Sequence, residues 1–291
     1  MRYVYYPGCS LKGSGRPYEE SLLAVFKKLG IAAPELKDWN CCGATSYMSV
    51  DETKAFALAA RNLAIAEGQN GGVEVHFLAP CNACYLVHSK VQAYMKSYKK
   101  MGKVVTDALA STGMQYKGTV KVRHPLDVLV NDVGLEKIQQ AATRPLKGLK
   151  VACYYGCQLV RPYATFDNPH DPMTMDQVLR ACGAETVEWP LKARCCGGTL
   201  TGTIEEVGLR LSQILLHEAK RRGAEVVATA CPLCQFNLEC YQDRMKKRFG
   251  EDVSIPVVYF TQLMGRAMGI TDSALGLQRN LVSLQPAAAS A

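Results

Sequence analysis

The sequence predicts an α/β fold of two tandem, pseudo-symmetric domains, each a largely parallel sheet flanked by helices. Three observations lead there. Short apolar runs with strand character alternate with helical periodicities, the pattern of strands joined by helical crossovers. One order of cysteines occurs twice, Cys9, Cys41, Cys42, Cys81 and Cys84 and then Cys157, Cys195, Cys196, Cys231 and Cys234, with matching members about 150 residues apart. Flanking residues repeat with them: YYPGCSL matches YYGCQL, LLAVFKKLGI matches MDQVLRACGA, and CNACYLVHSKVQAYMK matches CPLCQFNLECYQDRMK.

The elements follow in order. Residues 2–6 and 150–155 are β-prone runs ending near glycine, so Cys9 and Cys157 are expected on the turn that closes each strand. Helical periodicity covers 18–29 and about 173–181, closed by Gly30 and Gly183. Each CCG triplet is followed by a second helix, DETKAFALAARNLAIAEG in one half and IEEVGLRLSQILLHEAKRRG in the other. The apolar runs VEVHFLA (73–79) and AEVVATA (224–230) read as buried strands that lead straight into Cys-x-x-Cys and another helix. A last strand, TVKVRHP or SIPVVYF, and a helix complete each half. Pro145 and Gly148 break the segment ATRPLKGLK, which places the domains at 1–146 and 147–285. Residues 286–291, the end of SLQPAAASA, read as a flexible tail.

A chain of 291 residues, 48% hydrophobic and 21% charged, can bury a proper core. It has no apolar run long enough to span a bilayer, and MRYVYYPGCS lacks the regions of a secretory signal, so a cytoplasmic location without a direct membrane span is expected. Thirteen cysteines in that reducing compartment point to metal ligation or redox chemistry instead of disulfides. The net charge of +8 is spread over dispersed Lys and Arg, and KSYKK and MKKRF read as solvated helix faces, so no nucleic-acid partner is expected. GQNGGVE precedes a strand instead of leaving one, so it reads as a poor dinucleotide loop.

Cysteines that end strands at one edge of a parallel sheet converge, because sites in such sheets form beyond the carboxyl ends of the strands. Cys-x-x-Cys at a helix start adds two thiolates favoured by free backbone amides and the helix dipole. Neighbouring side chains on a regular strand face opposite ways, so the vicinal pairs must leave strand geometry to share one site, and Gly43 and Gly197 permit that. Structural zinc takes four ligands and a cubane iron-sulfur cluster takes four cysteines. The fifth thiol leaves two readings open, a cluster with bridging sulfur ligation or a redox-active cysteine beside a cubane. Cys153, Cys182 and Cys240 have no counterpart in the other half and read as idle thiols. The histidines, including His76, His88, His124 and His170, read as structural or exposed. Arg161 and the loop LKGSGR occupy equivalent places just after Cys157 and Cys9 and read as solvated.

With GCSLKGSGRPYEES and DWNCCGATSYMS, the doubled cysteine pattern resembles the two CCG cysteine-rich domains of the family formed by the B component of heterodisulfide reductase, in its bacterial branch, over essentially the whole chain. Gly43 stands where methanogen members commonly carry proline. The resemblance implies two noncubane [4Fe-4S] clusters, one on Cys9, Cys41, Cys42, Cys81 and Cys84 and the other on Cys157, Cys195, Cys196, Cys231 and Cys234. It implies a catalytic component that cleaves or forms a disulfide between the clusters, its cluster irons acting on a small disulfide or thiol or on protein-bound sulfur. It also implies two partners in a complex, a ferredoxin-like protein with cubane clusters and a flavin protein. Two other classes stand beside this reading: an electron-transfer iron-sulfur protein of a sulfur-, succinate- or lactate/glycolate-oxidising complex, and a zinc-stabilised scaffold.

Overall fold

The computed structural model describes residues 2–69, 71 and 74–284, so residues 286–291 lie outside the described residues, as do part of GQNGGVE and most of SLQPAAASA. In chain order the elements are β1 (Tyr3–Tyr5), α1 (Gly8–Leu11), α2 (Arg16–Leu29), α3 (Ser46–Val50), α4 (Glu52–Gln69), β2 (Val75–Leu78), α5 (Asn82–Ser97), α6 (Lys99–Ala110) and β3 (Val120–Arg123). They continue with α7 (Pro125–Val128), a π-helical turn at Leu129–Val133, α8 (Leu135–Ala141), β4 (Lys150–Tyr154), α9 (Thr174–Ala181) and β5 (Glu185–Thr186). After these come a 3-10 turn at Gly198–Gly202, α10 (Glu205–Arg221), β6 (Val226–Thr229), α11 (Pro232–Cys240), α12 (Gln242–Phe249), β7 (Val257–Tyr259), α13 (Phe260–Ala267) and a last 3-10 turn at Leu277–Arg279.

The described residues form two compact units. The first comprises Met1–Lys12 and Ala32–Pro125, and the second comprises Gly13–Ile31 and Leu126–Ala291. In the first unit β2 lies between β1 and β3, and both pairings are parallel. Tyr5 pairs with Leu78 and Leu78 with Arg123, so the three strands end level. Every residue of β2 is buried, as expected of a strand covered on both faces. In the second unit the order is β5-β4-β6-β7, again all parallel, and Tyr154, Thr229 and Tyr259 stand level at the carboxyl edge. The core of this unit joins Ala152, Tyr154, Val227 and Val257 of the sheet to Leu209, Leu215 and Leu216 of α10 and Leu238 of α11. Both sheets are parallel and helix-flanked, as the alternating pattern requires.

α2 belongs to the second unit by its contacts. Its buried stripe of Tyr18, Leu22, Val25 and Phe26 faces the β7–α13 corner, where Tyr18 stacks on Tyr259 at 4.6 Å between ring centroids and Ser21 Oγ lies 2.6 Å from Thr261 Oγ1. At the far end of the chain, Arg279 pairs with Glu20 at 3.1 Å.

Candidate metal centres

Both cysteine groups sit just past the level carboxyl edges of the sheets. In the first unit the chain leaves β1 through Tyr6 to Cys9 in α1, and leaves β2 through Ala79 and Pro80 to Cys81, which caps α5. In the second, Cys157 follows β4 and Cys231 caps α11 in the same way. The first vicinal pair occupies the loop before α3 and the second the loop before the 3-10 turn that leads to α10, both out of strand geometry as expected.

The structure brings all five expected thiols of each half together. Cys41 Sγ lies 3.7 Å from Cys9 Sγ, and Cys42 Sγ lies 3.2 Å from Cys84 Sγ. Cys81 reaches the same group through Cys84. In the second unit Cys195 faces Cys157, Cys196 Sγ lies 3.5 Å from Cys234 Sγ, and Cys234 contacts Cys231. The vicinal pair therefore spans each site. Its first member meets the outer thiol from the β1 or β4 turn, and its second meets the inner Cys-x-x-Cys pair. Cys9, Cys41 and Cys195 are exposed and Cys157 half-buried, whereas Cys42, Cys81, Cys84, Cys196, Cys231 and Cys234 are buried. Cys153 and Cys182 are buried and Cys240 half-buried.

The loops are held by residues whose role the sequence reading missed. Tyr6, wholly buried, donates its hydroxyl to the carbonyl of Asn40, the residue before the first vicinal pair, at 2.9 Å. Tyr154 does the same for Arg194 before the second pair, at 2.7 Å. Burial and the surrounding thiols push both phenols well above their ordinary range, so they remain donors. Asn62 accepts from the Asn40 amide at 2.9 Å and returns a bond to its carbonyl at 3.0 Å, while Ser212 donates to the Cys196 carbonyl at 2.9 Å. In the second unit Lys192, buried beside Asp176 at 3.4 Å, holds the loop from within, and its carbonyl receives the amides of Tyr155 and Gly156. The signal was present: aligned without a gap, Tyr6 and Gly8-Cys9 match Tyr154 and Gly156-Cys157.

Gly197 shows why glycine follows the pair. Its φ is +97°, and a Cβ there would stand 2.9 Å from the Cα of Gly208 in α10, so the loop lies directly on the helix backbone. Gly43 behind the first pair lies on α4 in the same way, a Cβ there standing 3.1 Å from the Cα of Ala55, and at Gly8 a Cβ would meet Cys84 Sγ at 3.0 Å. His88 and His124 are both buried and bonded to backbone carbonyls. Nδ1 of His88 donates to the Cys84 carbonyl at 2.7 Å, and Nε2 of His124 donates to the Pro80 carbonyl at 3.0 Å. Burial lowers them to about 4 and about 3, which keeps both rings neutral.

The thiols polarise one another. Cys41 is lowered to about 2 by its contacts with Cys42 and Cys9, while contact with Cys41 raises Cys9 and lifts Cys42 to about 12. Cys195 falls to about 6, first through Cys157, with the Arg161 guanidinium also contributing. Cys84 and Cys234 are raised, first by their contacts with Cys42 and Cys196. Protons alone let only some of the five sulfurs ionise, because crowded like charges disfavour each other. A polynuclear group of soft cations fits this donor set by its chemistry: five thiols, mostly buried, at a site roofed by glycine. Among the described residues no group of three or more His, Cys, Asp or Glu side chains is arranged to hold a metal ion.

Fold and site together define a duplicated α/β protein that gathers five thiols at the carboxyl edge of each parallel sheet. The cysteine-rich CCG domain family matches residues 3–89 and 151–239, and the chain belongs to that family. It is 32% identical, over 96% of its length and 96% of the relative's, to the membrane anchor of the 8-methylmenaquinol:fumarate reductase of Wolinella succinogenes. It is 31% identical, over 94% of its length and 92% of the relative's, to the B component of the ferredoxin/F(420)H(2)-dependent CoB-CoM heterodisulfide reductase of Methanosarcina acetivorans. Among solved structures, a hypothetical protein from Helicobacter pylori shares the fold with a TM-score of 0.71 at 14% identity, covering 92% of this chain. The chain spans about half the length of that protein, 49%. No helix among the described residues is long and apolar enough to cross a membrane.

Proposed function

We propose that the chain is the disulfide-handling B component of a heterodisulfide reductase-like complex, an oxidoreductase that cleaves or forms a disulfide at two noncubane [4Fe-4S] clusters. Cys9, Cys41, Cys42, Cys81 and Cys84 hold one cluster, and Cys157, Cys195, Cys196, Cys231 and Cys234 hold the other. The observation that carries this reading is that both halves gather a complete set of five thiols, each closed on its inner side and open at its outer edge. The reaction is RSSR′ + 2e⁻ + 2H⁺ ⇌ RSH + R′SH. The clusters supply one-electron transfer and iron with an affinity for thiolate sulfur.

The chain's own residues supply placement. Tyr6 and Tyr154 fix the carbonyl ahead of each vicinal pair, and His88 and His124 fix the carbonyls of the first Cys-x-x-Cys segment. His88 and His124, buried and bonded to those carbonyls, serve as supports, and the two protons of the reaction enter with solvent at the exposed side of Cys9, Cys41 and Cys195. Electrons come from a ferredoxin-like partner with cubane clusters and, behind it, a flavin partner. A second reading is favoured by the 32% identity to a fumarate reductase component: the clusters pass electrons onward without bonding a sulfur substrate.

Metal and sulfide analysis of anaerobically purified protein, followed by paramagnetic resonance with added disulfides, tests both. About eight irons and eight sulfides per chain are expected, with a cluster signal that changes when a thiol or disulfide is added. A cluster signal indifferent to every sulfur compound would favour onward electron transfer, and colourless protein with about one zinc per half would leave only a scaffold.

A further inference from the structure

The two thiol sites are alike in ligands but not in the charges around them. At the first site the nearby cations are neutralised: Lys12 pairs with Glu35 at 2.7 Å, Arg61 with Asp38 at 2.6 Å, and the buried His88 is uncharged. At the second, Lys192 is neutralised by Asp176 at 3.4 Å and Asp171 at 3.3 Å. Arg194, next to Cys195, is exposed, where water screens its charge. Arg161 differs from all of these. It is half-buried, its Nη2 donates to the carbonyl of Ala193, two residues before Cys195, and it has no carboxylate partner among the described residues. By the offset that relates Cys9 to Cys157, the matching place in the first half is Gly13, which has no side chain.

A half-buried guanidinium held on the loop of the vicinal pair is left to be balanced by the site itself. Reduction adds negative charge to a thiolate-bound group, and a half-buried cation, less screened than an exposed one, stabilises that state over the oxidised one. We infer that Arg161 sets the second thiol site at the higher reduction potential of the two, so that the first electron given to the chain rests there. This rests on the proposal that both sites hold iron-sulfur clusters. It assigns them unequal roles, the first as a donor site and the second as the site that fills first.

Variants that keep one site each, Cys41→Ser with Cys42→Ser, and Cys195→Ser with Cys196→Ser, allow separate potentiometric titrations followed by paramagnetic resonance. The second site should titrate at the higher potential. Arg161→Met should shift it downward while leaving the first site unmoved, and Arg161→Lys, which keeps the charge, should recover most of the shift. Equal potentials in the parent protein, a shift common to both sites, or a lysine variant that moves as far as the methionine one would each overturn the inference. If Arg161→Met fails to hold iron, the order of the two parental potentials still decides it. Absence of any cluster signal would instead strike the proposed function.

Discussion

At the scale of single residues, the most instructive positions are two tyrosines that touch no thiol through their hydroxyls yet set where the vicinal cysteines stand. Tyr6, just past β1 at the edge of its sheet, and Tyr154, the last residue of β4, each reach one carbonyl, that of Asn40 or Arg194, one step before a vicinal pair. Tyr154→Phe removes one donor and leaves a part-buried carbonyl unsatisfied, a cost of about 1–3 kcal/mol. On the proposed cluster reading, iron should be released to a chelator faster from the second half than from the first, with the helix content unchanged by circular dichroism. The ten cysteines were legible in the sequence because they recur in the same order with the same glycine behind each pair. The tyrosines were not, because an aromatic residue in a β-prone run looks like ordinary core, and only the contact across the loop shows its use.

At the scale of elements, most strands and helices were legible from apolar runs and capping glycines, and the differences have local causes. The helix read after the first Cys-x-x-Cys is interrupted at Tyr98, whose extended backbone (φ −120°, ψ 94°) ends α5 and starts α6. β5 escaped notice because it is only two residues, Glu185–Thr186, recruited by pairing with Lys150 and Val151 and not by any hydrophobic signal. Between α6 and β3 the turn is organised by Glu67 of α4, a buried carboxylate accepting from the Lys117 amide at 2.6 Å, the Thr119 amide at 2.8 Å and the Thr119 hydroxyl at 2.7 Å. Burial alone would raise this carboxyl, but the donors outweigh it and hold it below its ordinary value. A depressed folded-state value means the stabilisation is fully present above the ordinary carboxylate range, roughly pH 4.3, and is lost as pH falls through the lowered value. Glu67→Gln should therefore destabilise the protein at neutral pH and flatten the acid limb of its stability curve. Denaturant midpoints measured from pH 3 to 7 check both effects.

At the scale of the whole molecule, the duplication shows in each unit's parallel sheet and thiol site, but the repeat and the packing divide the chain differently at two places, α2 and residues 126–146, which carry most of α7, the π-helical turn and α8. α2, which the repeat assigns to the first half, buries Tyr18, Leu22, Val25 and Phe26 among residues of the second unit, with Tyr259 and Thr261 as partners. Amphipathic periodicity reveals that a helix must bury one face and is silent on which surface receives it, so this part of the fold was not legible. A fragment of residues 1–146 should leave that apolar stripe in water and sediment as aggregate. Joint expression with 147–291 should return both pieces to the soluble fraction, as read by ultracentrifugation.

The gradient of exposure across each group of sulfurs also fixes how the protein fails in air. Oxidants reach the rim first, at Cys9, Cys41 and Cys195, while the paired sulfurs beneath stay sealed under the CCG loops. Corrosion should thus proceed from the mouth inward, and a partly damaged molecule should still carry intact thiols at its floor after it has lost those at its rim.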